Sequence, residues 1–153
     1  MELCCHPIGL IHSPFQQKQE TPIQATFSQA EGVVEVYPEY ADGLQDIEGF
    51  SHLILLYWFH QSEGYQLVVR PFLDQVERGL FAIRYPARPN PIGLSSVELI
   101  EREGNQLRVR GVDVLDGTPL LDIKPFVPAF DHREGARVGW LEDKLEDRGS
   151  GQT

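Results

Sequence analysis

Apolar residues in this chain fall in strand-length runs broken by glycine, proline or charge, a pattern that disfavours helical bundles. Cys5 to Ile11 is β-rich, and Gly32-Val33-Val34-Glu35-Val36-Tyr37 stops at Pro38. The run from Phe50 to Phe59, with polar His52 near its start and His60 just past its end, reads as a strand buried on both faces. Gly79 to Arg84 and Ser95 to Arg102 read as two more, Val97 and Leu99 alternating with Glu98 and Arg102. Glu103-Gly104-Asn105 has hairpin-turn composition. In Gln106 to Leu115 the apolar parity changes at Gly111, from Leu107 and Val109 to Val112 and Val114, which predicts a β-bulge there. Helical signal is confined to Glu39 to Ile47 and Phe72 to Arg78. No G-x-G-x-x-G follows the first strand, so the Rossmann route to a nucleotide is closed. The expectation is an all-β chain: a single barrel-like sheet with a few short helices, not Rossmann. One domain spans 1–140, followed by an acidic, then Gly/Ser-rich flexible tail at 141–153.

A chain of 153 residues is long enough for one real core. Its longest apolar run, Leu53 to Phe59, is too short for a membrane-spanning helix, and the N-terminus lacks signal-peptide character. We therefore expect a cytoplasmic protein with no membrane partner. The only cysteines, Cys4 and Cys5, are adjacent; with His6 they lack four-ligand spacing, so the expectation is no metal and two half-buried thiols in an N-terminal strand. The net charge of −10 argues against non-specific coating of nucleic acid. Residues 66–112 differ from the rest: seven arginines stand against five acids there. Phosphate contacts would have to concentrate around Arg70, Arg78, Arg84 and Arg88.

Two segments carry more polar chemistry than turns require. In Arg84-Tyr85-Pro86-Ala87-Arg88-Pro89-Asn90-Pro91-Ile92-Gly93 the prolines restrict the residues before them to extended geometry, which predicts Arg88 and Asn90 side by side on a stiffened strip. In Leu115-Asp116-Gly117-Thr118-Pro119 a carboxylate, a permissive glycine and a hydroxyl are consecutive. Such groups can accept from a hydroxyl or ammonium, let backbone approach a ligand closely and, through Arg84 or Arg88, pair with a carboxylate.

Together with Ile8-Gly9-Leu10-Ile11-His12-Ser13-Pro14-Phe15, Gly43-Leu44, Phe50-Ser51-His52-Leu53 and His60-Gln61, these segments resemble the TsaA/TrmO family. The resemblance spans nearly the whole chain and fades after about Phe130. It implies a β-barrel S-adenosylmethionine-dependent methyltransferase, homodimeric, acting on N6 of threonylcarbamoyladenosine beside the tRNA anticodon. It also implies cofactor contacts at Pro22, Ile23, Gln24, His60, Gln61, Arg84, Leu94, Leu115, Asp116, Gly117 and Thr118. Arg70, Arg88 and Asn90 are the expected substrate contacts. The amide-like N6 is weakly nucleophilic, so a proton acceptor should help. His60 and Asp122 are the titratable candidates, with Asn90 as a hydrogen-bonding alternative. Many bacterial members carry Arg-Pro-Pro-Arg where this chain has Arg70-Pro71-Phe72-Leu73, and longer members have a further C-terminal domain. Both differences bear on nucleic acid rather than cofactor. Methylation of a small molecule or protein, or a non-catalytic adenosyl-binding regulatory module, are the alternatives.

Overall fold

The computed structural model describes residues 1–17, 28–71 and 74–149, the last four of these by backbone alone. Six strands close into a barrel: β1 (Gly9–His12), β2 (Glu31–Val36), β3 (His52–Trp58), β6 (Ile92–Glu103), β7 (Gln106–Arg110) and β8 (Thr118–Pro125). A separate two-stranded ribbon, β4 (Val68–Val69) with β5 (Arg78–Gly79), lies between β3 and β6 in sequence. Around the barrel the order is β1-β2-β7-β6-β3-β8, every neighbour antiparallel. Closure leaves no unpaired edge. The all-β, barrel-like expectation holds. Among the described residues, no helix is long and apolar enough to cross a membrane.

Alternation fills the interior. Ile11, Val34, Val36, Leu53, Leu55, Tyr57, Val97, Leu107, Val109 and Leu120 point inward and are buried. Each such aliphatic side chain contributes about 1.5–3 kcal/mol through burial. Glycine fills two inward positions where strands crowd. A Cβ on Gly9 would overlap the carbonyl oxygen of Glu35, and one on Gly93 would overlap the Tyr57 ring.

Several expectations change. β3 is not buried on both faces: Leu53, Leu55 and Tyr57 are buried, while Ile54 and Leu56 are only half-buried on the outer wall and Trp58 is exposed. A single-layer barrel has one dry face, so a continuous apolar run leaves an apolar exterior. The bulge does not fall at Gly111, which follows the end of β7 with φ 101°. Register shifts occur instead between Leu99 and Glu101 on β6, and on β8 where Leu56 pairs Asp122 but Tyr57 pairs Leu120. Of the expected 79–84 strand only Gly79 pairs, as the last residue of β5; Leu80–Ala82 turns as 3₁₀ helix. Cys4 and Cys5 are exposed, ahead of β1, rather than half-buried within it.

The hairpin is as read, with Glu103 pairing Gln106 across Gly104 at φ 60°. Helical turns form at Pro38–Leu44 and Ile47–Gly49, close to the signal at 39–47. The signal at 72–78 lies partly outside the described residues. Two short helices follow the barrel, α1 (Pro128–Asp131) and α2 (Glu142–Gly149), the second inside the segment expected to be a tail. The turn before α2 is tied to the ribbon. Trp140 Nε1 donates to the Ala82 carbonyl at 2.8 Å, and the Arg78 guanidinium lies 5.1 Å from the Trp140 ring centroid.

Candidate functional site

Strand direction decides which loops meet. The antiparallel order brings the C-terminal ends of β1, β3 and β7 and the N-terminal ends of β2, β6 and β8 to one end of the barrel. That end carries the connection after β1, the turn at His60-Gln61, the 83–91 strip, Leu94 and the 115–117 turn. Most of the residues expected to hold a cofactor are thereby brought to one end, although they are far apart in sequence. Pro22, Ile23 and Gln24 lie outside the described residues, within the connection from β1 to β2 that opens at this end.

The 115–117 turn is fastened to β1 from several sides. Gly117 N–H donates to Ile11 O at 2.9 Å, Asp116 N–H to Phe15 O at 2.7 Å, and Ser13 Oγ to Val114 O at 2.5 Å. Leu115 is half-buried in a bridge with Phe15, and Thr118 is buried with its hydroxyl donating to Leu115 O at 2.6 Å. Thr118 thus shapes the turn. Asp116 is exposed; its Oδ1 accepts the Ser13 N–H at 3.0 Å and leaves the other oxygen for a ligand. Gly117 has φ 81°, and a Cβ there would meet nothing, so its backbone is open to close approach. An anionic acceptor beside open backbone, with exposed Arg84 on a neighbouring loop, fits an adenosyl ligand bearing an amino-acid tail.

Beneath this end lies a polar chain that the sequence reading missed. Tyr57 OH and Ser95 Oγ are 2.7 Å apart, and Ser95 Oγ donates to Asp113 Oδ1 at 2.6 Å; all three residues are buried. Burial, then the Asp113 charge, push the Tyr57 phenol well above its usual range, partly offset by the Ser95 hydrogen bond and the Arg84 charge. Tyr57 is therefore a neutral hydroxyl at any ordinary pH. The signal available was small polar Ser95 at an inward parity position between Gly93 and Val97, and a lone acid in Gly111-Val112-Asp113-Val114.

The 83–91 strip does not run straight. Asn90 O accepts the Ile92 N–H at 2.7 Å, closing a tight turn. Arg88 points its guanidinium at its own loop, donating to Tyr85 O (2.8 Å), Ile83 O (3.1 Å) and Leu80 O (3.3 Å). The side-by-side display of Arg88 and Asn90 is replaced by a loop folded around Arg88. Asn90 and Arg70 are exposed.

The two titratable candidates are not brought together. His60 sits in the turn after β3, its ring in an edge arrangement with Trp58, centroids 6.2 Å apart. Asp122 lies along β8 opposite Leu56, paired with Lys124 at 2.8 Å. It lines an open groove of about 430 Å³ whose other walls, including Ile8, Leu44, Phe50 and Pro125, belong to the opposite end of the barrel. A third titratable group, His12, stands at the end where the loops meet, 2.8 Å from Glu35 and 3.6 Å from Asp116.

Residues 10–132 match the family model described as the tRNA-methyltransferase O N-terminal domain. The chain belongs to the tRNA-methyltransferase O family. This is a family of S-adenosylmethionine-dependent methyltransferases, as the names of its members indicate. A probable S-adenosyl-L-methionine-binding protein of Pyrococcus abyssi is 58% identical over 144 residues, covering 94% of this chain and 78% of the relative. The tRNA (adenine(37)-N6)-methyltransferase of Escherichia coli is 39% identical over 146 residues, covering 88% of this chain and 62% of the enzyme. The crystal structure of TrmO from Pseudomonas aeruginosa superposes with a TM-score of 0.77 at 39% identity, covering 91% of this chain and 62% of that one. This chain thus spans less than two thirds of those two longer members.

Proposed function

We propose that the protein uses S-adenosylmethionine to methylate N6 of threonylcarbamoyladenosine next to the tRNA anticodon, in the cytoplasm. The observation that carries this reading is the convergence of Asp116, Gly117, Arg84, Leu94 and His60-Gln61 on one end of a closed barrel. Asp116 would accept from a ribose hydroxyl or the ammonium group, Gly117 would let backbone lie against the ligand, and Arg84 would pair with the carboxylate. Pro22, Ile23 and Gln24, outside the described residues, would add further cofactor contacts. The cofactor brings a methyl group already activated on sulfur, so the chain's task is to orient the acceptor nitrogen, exclude water and take up one proton. Asn90 and Arg70 would meet the nucleotide. Arg88 would do so only by holding the loop that presents them.

A homodimer fits the outer wall. Trp58, Ile92 and Leu94 are 44%, 46% and 44% exposed on adjacent positions of β3 and β6, with half-buried Ile54 and Leu56 behind them. Leu94 faces outward here, so a cofactor touching it would lie against the face a second copy would cover.

A second reading keeps the cofactor and replaces tRNA with a small molecule or protein. Arg88, turned onto carbonyls of its own loop, and Leu73, where many relatives carry arginine, favour it. Nucleoside mass spectrometry of tRNA from cells with and without the gene separates the two; unchanged threonylcarbamoyladenosine methylation would sink the tRNA reading. For the cofactor, Asp116→Ala should weaken S-adenosylmethionine binding measured by calorimetry. Loss of a hydrogen bond to a charged or polar group is worth about 1–3 kcal/mol, or roughly 5- to 150-fold in Kd. Unchanged affinity would make Asp116-Gly117 a plain turn.

A further inference from the structure

We propose that His12, oriented by Glu35, is the proton acceptor of the methyl-transfer step, taking the acceptor nitrogen's proton at Nδ1. The proposal rests on the cofactor site read above. It differs from the sequence-based candidates in both residue and geometry.

His12 ends β1, and its neighbours come from two other elements. Across the β1–β2 pairing, Glu35 Oε2 lies 2.8 Å from Nε2. An ionised carboxylate can only accept, so the proton of neutral His12 sits on Nε2 and the lone pair on Nδ1. From the 115–117 turn, Asp116 Oδ1 lies 3.6 Å from Nδ1, too far for a hydrogen bond and occupied by the Ser13 N–H. The lone pair therefore opens beside Asp116, the expected cofactor contact. β8, the other neighbour of β1, offers only Thr118, Pro119 and Leu120 opposite it, and none of these is charged. The ring is 44% exposed, so a ligand can reach it and a captured proton can leave to water.

Replacing N–H by N–CH₃ releases one proton per turnover. The nitrogen uses its electron pair to bond the methyl carbon, the carbon–sulfur pair returns to sulfur, and the N–H pair stays on nitrogen as the proton departs. With the proton on Nδ1, the imidazolium lies between the Glu35 and Asp116 carboxylates. Among the described residues His12 is the only histidine facing a carboxylate within 4 Å. Asp122 is held by Lys124 toward the other half of the barrel, and the His60 ring meets Trp58 in an edge arrangement.

The first test uses the free protein. Long-range ¹H–¹⁵N NMR should show His12 as the Nε2–H tautomer when neutral, and a mixture of tautomers in Glu35→Ala. The second uses His12→Asn, whose side chain keeps polarity at the Nδ1 position without basicity, with calorimetry and single-turnover kinetics in parallel. Cofactor Kd should stay within about threefold. The rate should fall by about 100-fold or more, the usual worth of a general base. Any acid-side decline of the wild-type rate should disappear with it. An unchanged rate and pH profile in His12→Asn would overturn the proposal, as would a Nδ1–H tautomer in wild type. A variant that loses cofactor affinity but keeps its turnover rate at saturation would make His12 a binding residue and overturn it too. Failure of wild type to bind the cofactor would instead overturn the site reading, while the tautomer experiment still stands on its own.

Discussion

Tyr57 shows what a single polar group in a barrel interior contributes. Its hydroxyl reaches Ser95, which in turn donates to Asp113, so β3 is tied to β6 and, through the Ser95 hydroxyl, to the segment after β7. A buried neutral hydrogen bond of this kind is worth about 1 kcal/mol net. Because burial and Asp113 raise its pKa in the fold, the phenol's contribution is complete below the unfolded value near 10 and is lost as pH climbs above it. Tyr57→Phe removes that proton. We expect it to be about 1 kcal/mol less stable than wild type at pH 8, with the gap narrowing by pH 11, as read from denaturant midpoints. An equal gap at both pH values would show that Tyr57 ionises in the fold as freely as in the unfolded chain. The same residue marks a limit of sequence reading. Tyr57 sits in an apolar run, and nothing local says that its hydroxyl meets Ser95, thirty-eight positions on. The turn at Asp116-Gly117 was legible because turn chemistry is local, although its ligand role came from the family resemblance alone; His12–Glu35 was not legible, because it exists only through strand pairing.

At the scale of elements, the strands of the barrel were largely readable, since side-chain parity follows from backbone geometry alone. What failed was irregularity. The bulges at Leu99/Glu101 and on β8 leave no glycine to mark them, whereas Gly111, which looked like one, ends a strand. The 83–91 strip was misread for a related reason: prolines restrict φ, but Arg88 decides how the loop closes by engaging three carbonyls. Gly93 is where element packing and the site meet. It pairs with Tyr57, whose ring occupies the space of a side chain, with the Phe59 ring beside it. Gly93→Ala must push both rings aside in a barrel with no slack. Overpacking of this kind costs about 1–3 kcal/mol or more, and the displaced phenol would also lose Ser95. A drop in melting temperature should accompany weaker cofactor binding, whereas Gly43→Ala, with open space around it and no left-handed backbone to strain, should cost less and leave binding alone. A Gly93→Ala protein with wild-type stability would mean that β3 and β6 are free to separate.

On the scale of the whole molecule, charge decides how a protein of net −10 could engage an anionic partner. The arginine-rich stretch 66–112 is less available than its count suggests. Arg78 faces Asp74, Arg102 faces Glu48, Arg108 faces Glu101, and Arg110 faces both Glu31 and Glu98. Asp74 illustrates how firmly such pairs are built: burial raises its pKa, yet the Val76 N–H, Arg78 and the Gln75 N–H outweigh that and hold it below the usual carboxylate range. If Arg70, Arg84 and Arg88 all reached phosphates, three charges per protomer would be neutralised. Single-stranded and duplex nucleic acid then set a slope of log K against log salt of about −2 to −3. We expect binding of threonylcarbamoylated tRNA to weaken only that gently between 50 and about 200 mM salt, with most affinity supplied by the nucleotide in the site rather than by the backbone. Arg88→Ala should then lower turnover more than it lowers the slope, because its guanidinium holds the loop carrying Asn90. A slope of about −6 or steeper would require a larger basic surface than the described residues carry. It would locate tRNA recognition elsewhere than on the arginines of the site.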